Sequence, residues 1–152
     1  MTAVVHPGGA SSWDSFPDTA PSPPPARLRR VLRIVSAATV ASGLVQLVAP
    51  RFVLGKVGAS QSSTDKQLFA TIGMFMTVIG ALLYQELSDG NADQVVLLWA
   101  ALQKFGAAGA VGIGVRRRVF ARRALQVALF DFASGVLCLA YRNQVDRRTA
   151  RS

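Results

Sequence analysis

The fold is decided by residues 94–141, which read QVVLLWAALQKFGAAGAVGIGVRRRVFARRALQVALFDFASGVLCLAY. This segment contains two long apolar runs, 94–115 and 122–141, joined by a linker rich in arginine. The interior of each run holds one charged residue, Lys104 in the first and Asp131 in the second. Because about 20 helical residues cross a hydrocarbon core of roughly 30 Å, each run is long enough to span a membrane.

Two further apolar runs lie upstream and have the same character. They occupy residues 34–50 and 67–86, and their interiors carry no charge. The chain is 51% hydrophobic and only 16% charged, and its charges collect at the ends of the runs, as they do in membrane proteins. The sequence therefore predicts an all-α integral membrane four-helix bundle with spans at about 34–50, 67–86, 94–115 and 122–141.

The remaining segments are predicted to be peripheral to this bundle. Residues 1–26 hold every proline except Pro50, and we expect them to form a disordered N-terminal tail before a four-helix domain at 27–142. Residues 51–58 mix apolar and basic side chains, which indicates a short helix lying along the headgroups. Residues 143–152 form a polar tail that we expect to stay in water.

Charge and residue content exclude several classes of function. The net charge is +9, but the arginines flank apolar runs, where they meet lipid headgroups, so we expect no nucleic-acid partner. With one histidine (His6) and one cysteine (Cys138), no metal site and no cofactor are predicted. The glycine-rich stretch 106–114 lies inside an apolar run with no strand before it, so we interpret it as close helix packing rather than a phosphate loop.

The charges outside the spans do not settle the orientation. Lysine and arginine are equally numerous in the two sets of flanks that would face opposite sides of the bilayer. Because a basic N-terminal flank is usually retained, we expect a multi-pass protein of the cell (plasma or inner) membrane with both termini in the cytoplasm.

Lys104 and Asp131 are the principal candidate functional residues. A charge at the bilayer centre costs on the order of 2.5–3.5 kcal/mol, so such residues face protein and find partners. Both lie near the middle of consecutive, antiparallel spans, and we expect them to pair directly. One interpretation is an ion pair that fixes the register of the two helices. The other is that one or both residues contact a ligand or a proton in a cavity between the helices. Gln46, Gln103 and Gln126 could extend the polar network, although a buried glutamine is more often an interhelical hydrogen-bond partner.

Helical periodicity places small residues beside both charges. Small side chains let helices approach closely in lipid. The predicted packing faces are Ala100, Ala101, Ala107 and Ala108 around Lys104; Ala124, Ala128, Ser134, Gly135 and Cys138 around Asp131; and Ala70, Gly73, Thr77, Gly80 and Ala81 in the second span. The stripe predicted to face lipid is Leu125, Leu129, Phe132, Val136 and Leu139. A capping box is predicted at Thr64 and Gln67.

Several features resemble the DoxX-like group of small bacterial four-helix membrane proteins. These are the chain length, Ser42-Gly43 in the first span followed by Ala49-Pro50, and Ile79-Gly80-Ala81 in the second span. The resemblance covers roughly Arg30 to Tyr141. It implies a four-helix membrane fold, and some members of that group are associated with quinone or thiol redox systems. No functional motif matches residue by residue, so the resemblance assigns no site.

Two functions remain open from the sequence. The first is a small non-catalytic membrane protein, either an accessory subunit with a membrane-protein partner or a self-associating bundle. The alternative is a membrane-embedded isomerase, cyclase or epoxide-opening enzyme acting on a lipophilic small molecule. In that case Asp131 would be the catalytic acid or base, and Lys104 would polarise an oxygen or tune the carboxyl group. Transport, with the pair as a proton relay, is a third and weaker hypothesis.

Overall fold

The computed structural model describes residues 26–89 and 93–149. Within these residues the secondary structure is helical, without strands. The predicted disordered tail lies outside the described residues except for Ala26, which begins the first helix. The elements are α1 (Ala26–Val48), α2 (Pro50–Val57), α3 (Ser63–Asp89), α4 (Gln94–Arg116) and α5 (Leu125–Thr149), with a 3₁₀ turn at Arg122–Ala124 before α5.

Four of these helices, α1, α3, α4 and α5, are long and apolar enough to cross a membrane. The predicted all-α membrane fold is therefore confirmed, and the chain is a multi-pass membrane protein. Each long helix extends past the apolar run that predicted it. In particular, α5 continues to Thr149 and includes most of the polar segment 143–152.

Local signals set the helix ends. The short helix α2 starts with Pro50, whose fixed φ suits a first helical position, and it ends at Gly58 with φ 70°, a conformation that favours glycine. At the start of α3, Ser62 Oγ accepts a hydrogen bond from Asp65 N–H (3.1 Å), and Asp65 Oδ2 accepts one from Ser62 N–H (3.2 Å). The predicted capping box at Thr64 was therefore wrong by two residues, because aspartate takes the place of the usual Glu or Gln.

The long helices form two pairs: α1 packs mainly on α3, and α4 mainly on α5. The two pairs contact each other most closely at one end of the bundle, which we call the core end. Here the first part of α1, the last part of α3, the start of α4 and the last part of α5 come together. The buried residues of the core end are Leu32, Leu83, Leu87, Leu97, Ala100, Ala101, Cys138 and Tyr141.

Backbone contact between glycines holds α1 against α3. A Cβ placed on Gly43 would lie 2.7 Å from the Gly73 carbonyl oxygen, and one on Gly73 would lie 2.7 Å from the Gly43 carbonyl oxygen. A Cβ on Gly80 would come within 3.1 Å of the Val40 nitrogen. The predicted packing face of the second span is thus confirmed at its glycines, although Ala81 at its edge is exposed.

The glycines of α4 behave differently, and the predicted close packing of 106–114 was wrong for most of them. A Cβ on Gly106, Gly109 or Gly112 would meet no atom within 4 Å. The reason is helical pitch, since α4 buries the face that carries Lys104 and these glycines lie on other sides of the helix. Only Gly114 is buried, and it packs against the Phe120 ring.

The two kinds of glycine give a matched test of the α1–α3 contact. We expect Gly73→Ala to lower the free energy of unfolding by about 1–3 kcal/mol, because the new methyl group would collide with backbone atoms that cannot rotate away. The control, Gly109→Ala, should leave stability unchanged or raise it by up to about 1 kcal/mol through helix propensity. Thermal unfolding in detergent, followed by circular dichroism, measures both. Equal midpoints for the two variants would contradict the glycine contact.

Candidate functional site

Lys104 and Asp131 form a buried ion pair, which confirms the predicted pairing. Lys104 Nζ lies 2.7 Å from Asp131 Oδ1, and the two side chains are 5% and 4% exposed. Each residue comes from one helix of the α4–α5 pair. This is the only ion pair among the residues that the structure describes. Because both charges are out of contact with solvent and lipid, each depends on the other for compensation.

Small side chains surround the pair, as helical periodicity predicted. Ala100 and Ala101 of α4 are fully buried, as are Ser134 and Cys138 of α5. Gly135 is also buried, and a Cβ there would lie 2.9 Å from the Phe105 ring. The predicted lipid-facing stripe is exposed, apart from the half-buried Leu139: Leu125 (45%), Leu129 (69%), Phe132 (54%) and Val136 (47%).

A third helix contributes to the ion pair through Thr39. Lys104 Nζ donates a second hydrogen bond to Thr39 Oγ1 (2.8 Å), and that hydroxyl donates to the Val35 carbonyl oxygen (3.0 Å). The ammonium group also lies 5.4 Å from the centre of the Phe130 ring, within range of a cation–π interaction. Since Thr39 belongs to α1, the Lys104 side chain connects the α4–α5 pair with the α1–α3 pair.

The sequence missed Thr39, and of the three glutamines only Gln46 makes an interhelical hydrogen bond among the described residues. Gln126 is exposed, Gln103 makes no side-chain hydrogen bond in the described part of the chain, and Gln46 donates from Nε2 to Met76 Sδ (3.4 Å). None of these glutamines bonds to the ion pair. The signal that could have found Thr39 is the spacing of small or polar residues along one face of α1 after Leu32, and the structure buries all four of them: Ser36, Thr39, Gly43 and Gln46.

An apolar pocket lies beside the ion pair, on the side away from the core end. Its volume is about 240 Å³, close to the lower end of the range of about 300–1,000 Å³ typical of ligand pockets. Every helix contributes to its wall, because the two helix pairs separate here and α2 lies across the gap. We call it the apolar pocket, and its lining is Ser42, Gln46, Val53, Val57, Phe69, Ile72, Met76, Ala107, Ala110, Val111, Phe120, Ala124, Val127 and Asp131.

Two side chains give this apolar wall its strongest hydrogen-bonding groups. Asp131 lines the pocket while its Oδ1 accepts from Lys104, so the same carboxylate belongs to the ion pair and to the pocket. Gln46 is 7% exposed, and its Oε1 has no hydrogen-bond partner among the described residues. A bound molecule with a hydroxyl or amine group could donate to the Asp131 carboxylate.

Other kinds of site find less support in the described residues. No group of three or more His, Cys, Asp or Glu side chains lies close enough there to hold a metal ion. No protein-family model, curated protein or solved structure compared with this chain matches it. The chemistry of the ion pair and the apolar pocket therefore has to be inferred from their own geometry.

The structural role of the ion pair can be tested by charge reversal. We expect Lys104→Met and Asp131→Asn each to lower the free energy of unfolding by about 3–5 kcal/mol, because each leaves one buried charge unpaired. The double reversal Lys104→Asp/Asp131→Lys should recover a substantial part of this loss, since the Thr39 hydroxyl can donate or accept. Folded yield and thermal midpoint in detergent provide the measurement. A reversal no more stable than the single variants would count against a directly stabilising pair.

Proposed function

We propose that this multi-pass membrane protein binds a lipophilic small molecule in the apolar pocket, with Asp131 at the polar part of the wall. The observation that carries the proposal is that a charged residue, already neutralised by Lys104, lines a pocket that is otherwise almost entirely apolar. Ligand sites commonly combine apolar walls with a few polar groups that orient the ligand.

A purely structural ion pair explains less of this arrangement. It accounts for the contacts of Lys104 with Asp131 and Thr39, but it does not require a gap beside them. A ligand would fill the gap between the helix pairs and place a polar group against the Asp131 carboxylate.

The alternative is a membrane-embedded isomerase, cyclase or epoxide-opening enzyme. The position of Asp131 on the pocket wall supports it, because a carboxyl group in contact with substrate can act as general acid or base. Lys104 would then hold the carboxylate in place and polarise it. Accessory-subunit and self-association roles, the DoxX-like resemblance, and cytoplasmic termini in a plasma or inner membrane remain predictions, with which the four-helix architecture is compatible.

Filling the apolar pocket tests ligand binding. We expect a lipophilic molecule to co-purify with the wild type and to fall by at least about 5-fold in Ala107→Leu, because the larger side chain occupies ligand volume. The matched control is Ala133→Leu, the same change at an exposed position of α5 outside the pocket. Mass spectrometry of organic extracts, normalised to folded protein, gives the amounts. A wild type with nothing bound, or equal loading of both variants, would contradict the proposal.

The enzyme alternative is tested by removing both charges together. Lys104→Met/Asp131→Asn leaves no buried charge unpaired and retains most of the pocket shape. If Asp131 acts as acid or base, the wild-type extract should contain two interconvertible molecules, and the double variant should retain only the substrate. The same two molecules in the same ratio in both proteins would exclude acid–base catalysis by Asp131 and leave ligand binding intact.

A further inference from the structure

A second pocket adjoins the apolar pocket and shares one of its walls. Phe120 lines both. The second pocket has a volume of about 560 Å³ and lies at the end of the bundle opposite the core end. We call it the arginine pocket, and its lining is Gly58, Val115, Arg116, Arg118, Phe120, Ala121 and Arg122.

The three guanidinium groups of the arginine pocket have no partner among the residues that the structure describes. In the described residues, the side chains of Arg116, Arg118 and Arg122 make no hydrogen bond and no ion pair. The neighbouring Arg123 differs, because it donates from Nη2 to the Gly55 carbonyl oxygen (2.8 Å) and so helps to hold α2. All three side chains are exposed, so they are free to turn toward an anion, which would compensate the positive charge that they gather around one space.

The backbone holds these arginines in a defined turn. Arg118 has φ 62°, the only positive φ at a non-glycine residue in the described part of the chain. Val119 N–H donates to the Gly114 carbonyl oxygen (2.9 Å), and Ala121 N–H donates to that of Val57 (2.8 Å). A non-glycine residue in this conformation costs on the order of 1–3 kcal/mol, and such strain is common at functional sites. The turn also places Phe120 against Gly114, between the two pockets.

The apolar pocket suits the hydrocarbon part of an amphiphile, and the arginine pocket suits an anionic headgroup. The apolar pocket lies within the membrane spans, whereas the arginine pocket lies at their ends, where headgroups meet the protein. Guanidinium groups match the geometry of phosphate oxygens and bind them through charge-assisted hydrogen bonds. Part of one apolar chain would fit beyond Phe120 in the volume of about 240 Å³ among Ala110, Val111 and Val127.

We propose that the ligand is an anionic lipid, with its phosphate ester in the arginine pocket and its hydrocarbon chain in the apolar pocket. This inference rests on the proposed function and names the class of ligand. Asp131 lies about two helical turns beyond Ala124, the last residue of the 3₁₀ turn and part of the pocket lining, a rise of roughly 10 Å. The part of the ligand that meets Asp131 is therefore about two helical turns from the phosphate, and a hydroxyl or amine group at that point of the chain would donate to the carboxylate.

The experiment compares four probes on the purified full-length protein in detergent. Dioleoylphosphatidic acid carries an anionic phosphate and two chains, dioleoylphosphatidylcholine has the same chains and a zwitterionic headgroup, diolein lacks the phosphate, and glycerol 3-phosphate lacks the chains. Native mass spectrometry gives the dissociation constants. We expect phosphatidic acid to bind about 10-fold or more tighter than the other three.

Charge-removing variants locate the headgroup site. The triple variant Arg116→Gln/Arg118→Gln/Arg122→Gln should weaken phosphatidic acid binding by about 10- to 100-fold and leave diolein unchanged. The matched control makes the same charge change at exposed arginines near the core end, and phosphatidic acid binding should survive it. The control substitutions are Arg27→Gln, Arg30→Gln and Arg147→Gln.

Each contrary result identifies what has failed. Equal weakening by the two triple variants, or equal binding of phosphatidic acid and diolein by the wild type, would overturn the headgroup site and leave the apolar pocket as a lipophilic site. Glycerol 3-phosphate binding as tightly as phosphatidic acid would assign the arginine pocket to a free phosphate ester and overturn the lipid assignment. If Ala107→Leu weakens the binding of neither phosphatidic acid nor diolein, the proposed function itself fails.

Discussion

A charged group in the middle of a hydrocarbon layer must be compensated locally, and this constraint organises the bundle. Lys104 meets it with the Asp131 carboxylate, the Thr39 hydroxyl and the Phe130 ring. These contacts bring α1, α4 and α5 to the same depth in the membrane. Without Lys104, the described residues would lose their only ion pair, and the α1–α3 and α4–α5 pairs would lose a charge-assisted hydrogen bond between them.

The space between the helix pairs follows from how each pair is packed. Backbone contact at Gly43 and Gly73 holds α1 and α3 together, while α4 and α5 meet through the ion pair and the contact of Phe105 with Gly135. The two pairs are joined by the Lys104–Thr39 hydrogen bond and by the buried leucines and alanines of the core end, and past Lys104 they separate around the apolar pocket. Close packing between the helix pairs therefore ends at Lys104, and the apolar pocket begins beyond it.

The sequence predicted features that depend on one helix or on two adjacent helices. Spans follow from the length and composition of single segments, and the Lys104–Asp131 pair follows from two consecutive spans whose midpoints share a depth. The Thr39 contact was missed because it depends on how α1 rotates against α4, and a single sequence does not encode that angle locally. The apolar pocket is a gap between helix pairs, so no residue pattern signals it. Close packing was predicted for 106–114, but a Cβ on Gly106, Gly109 or Gly112 would meet no atom within 4 Å. Small residues permit two helices to pack closely but do not require it, so the sequence alone could not show this.

Three glycines of α4, each with open space where a Cβ would be, lie on the stretch of helix that forms part of the pocket wall. Ala107, Ala110 and Val111 line the apolar pocket, while Gly106, Gly109 and Gly112 on the same stretch have no protein neighbour behind them. Glycine weakens a helix interior by about 1 kcal/mol relative to alanine, so this stretch is the most compliant part of α4. No contact with the described residues supports this stretch from behind, so the wall that α4 contributes to the pocket is freer to shift than the walls that α1 and α3 form through their glycine contact.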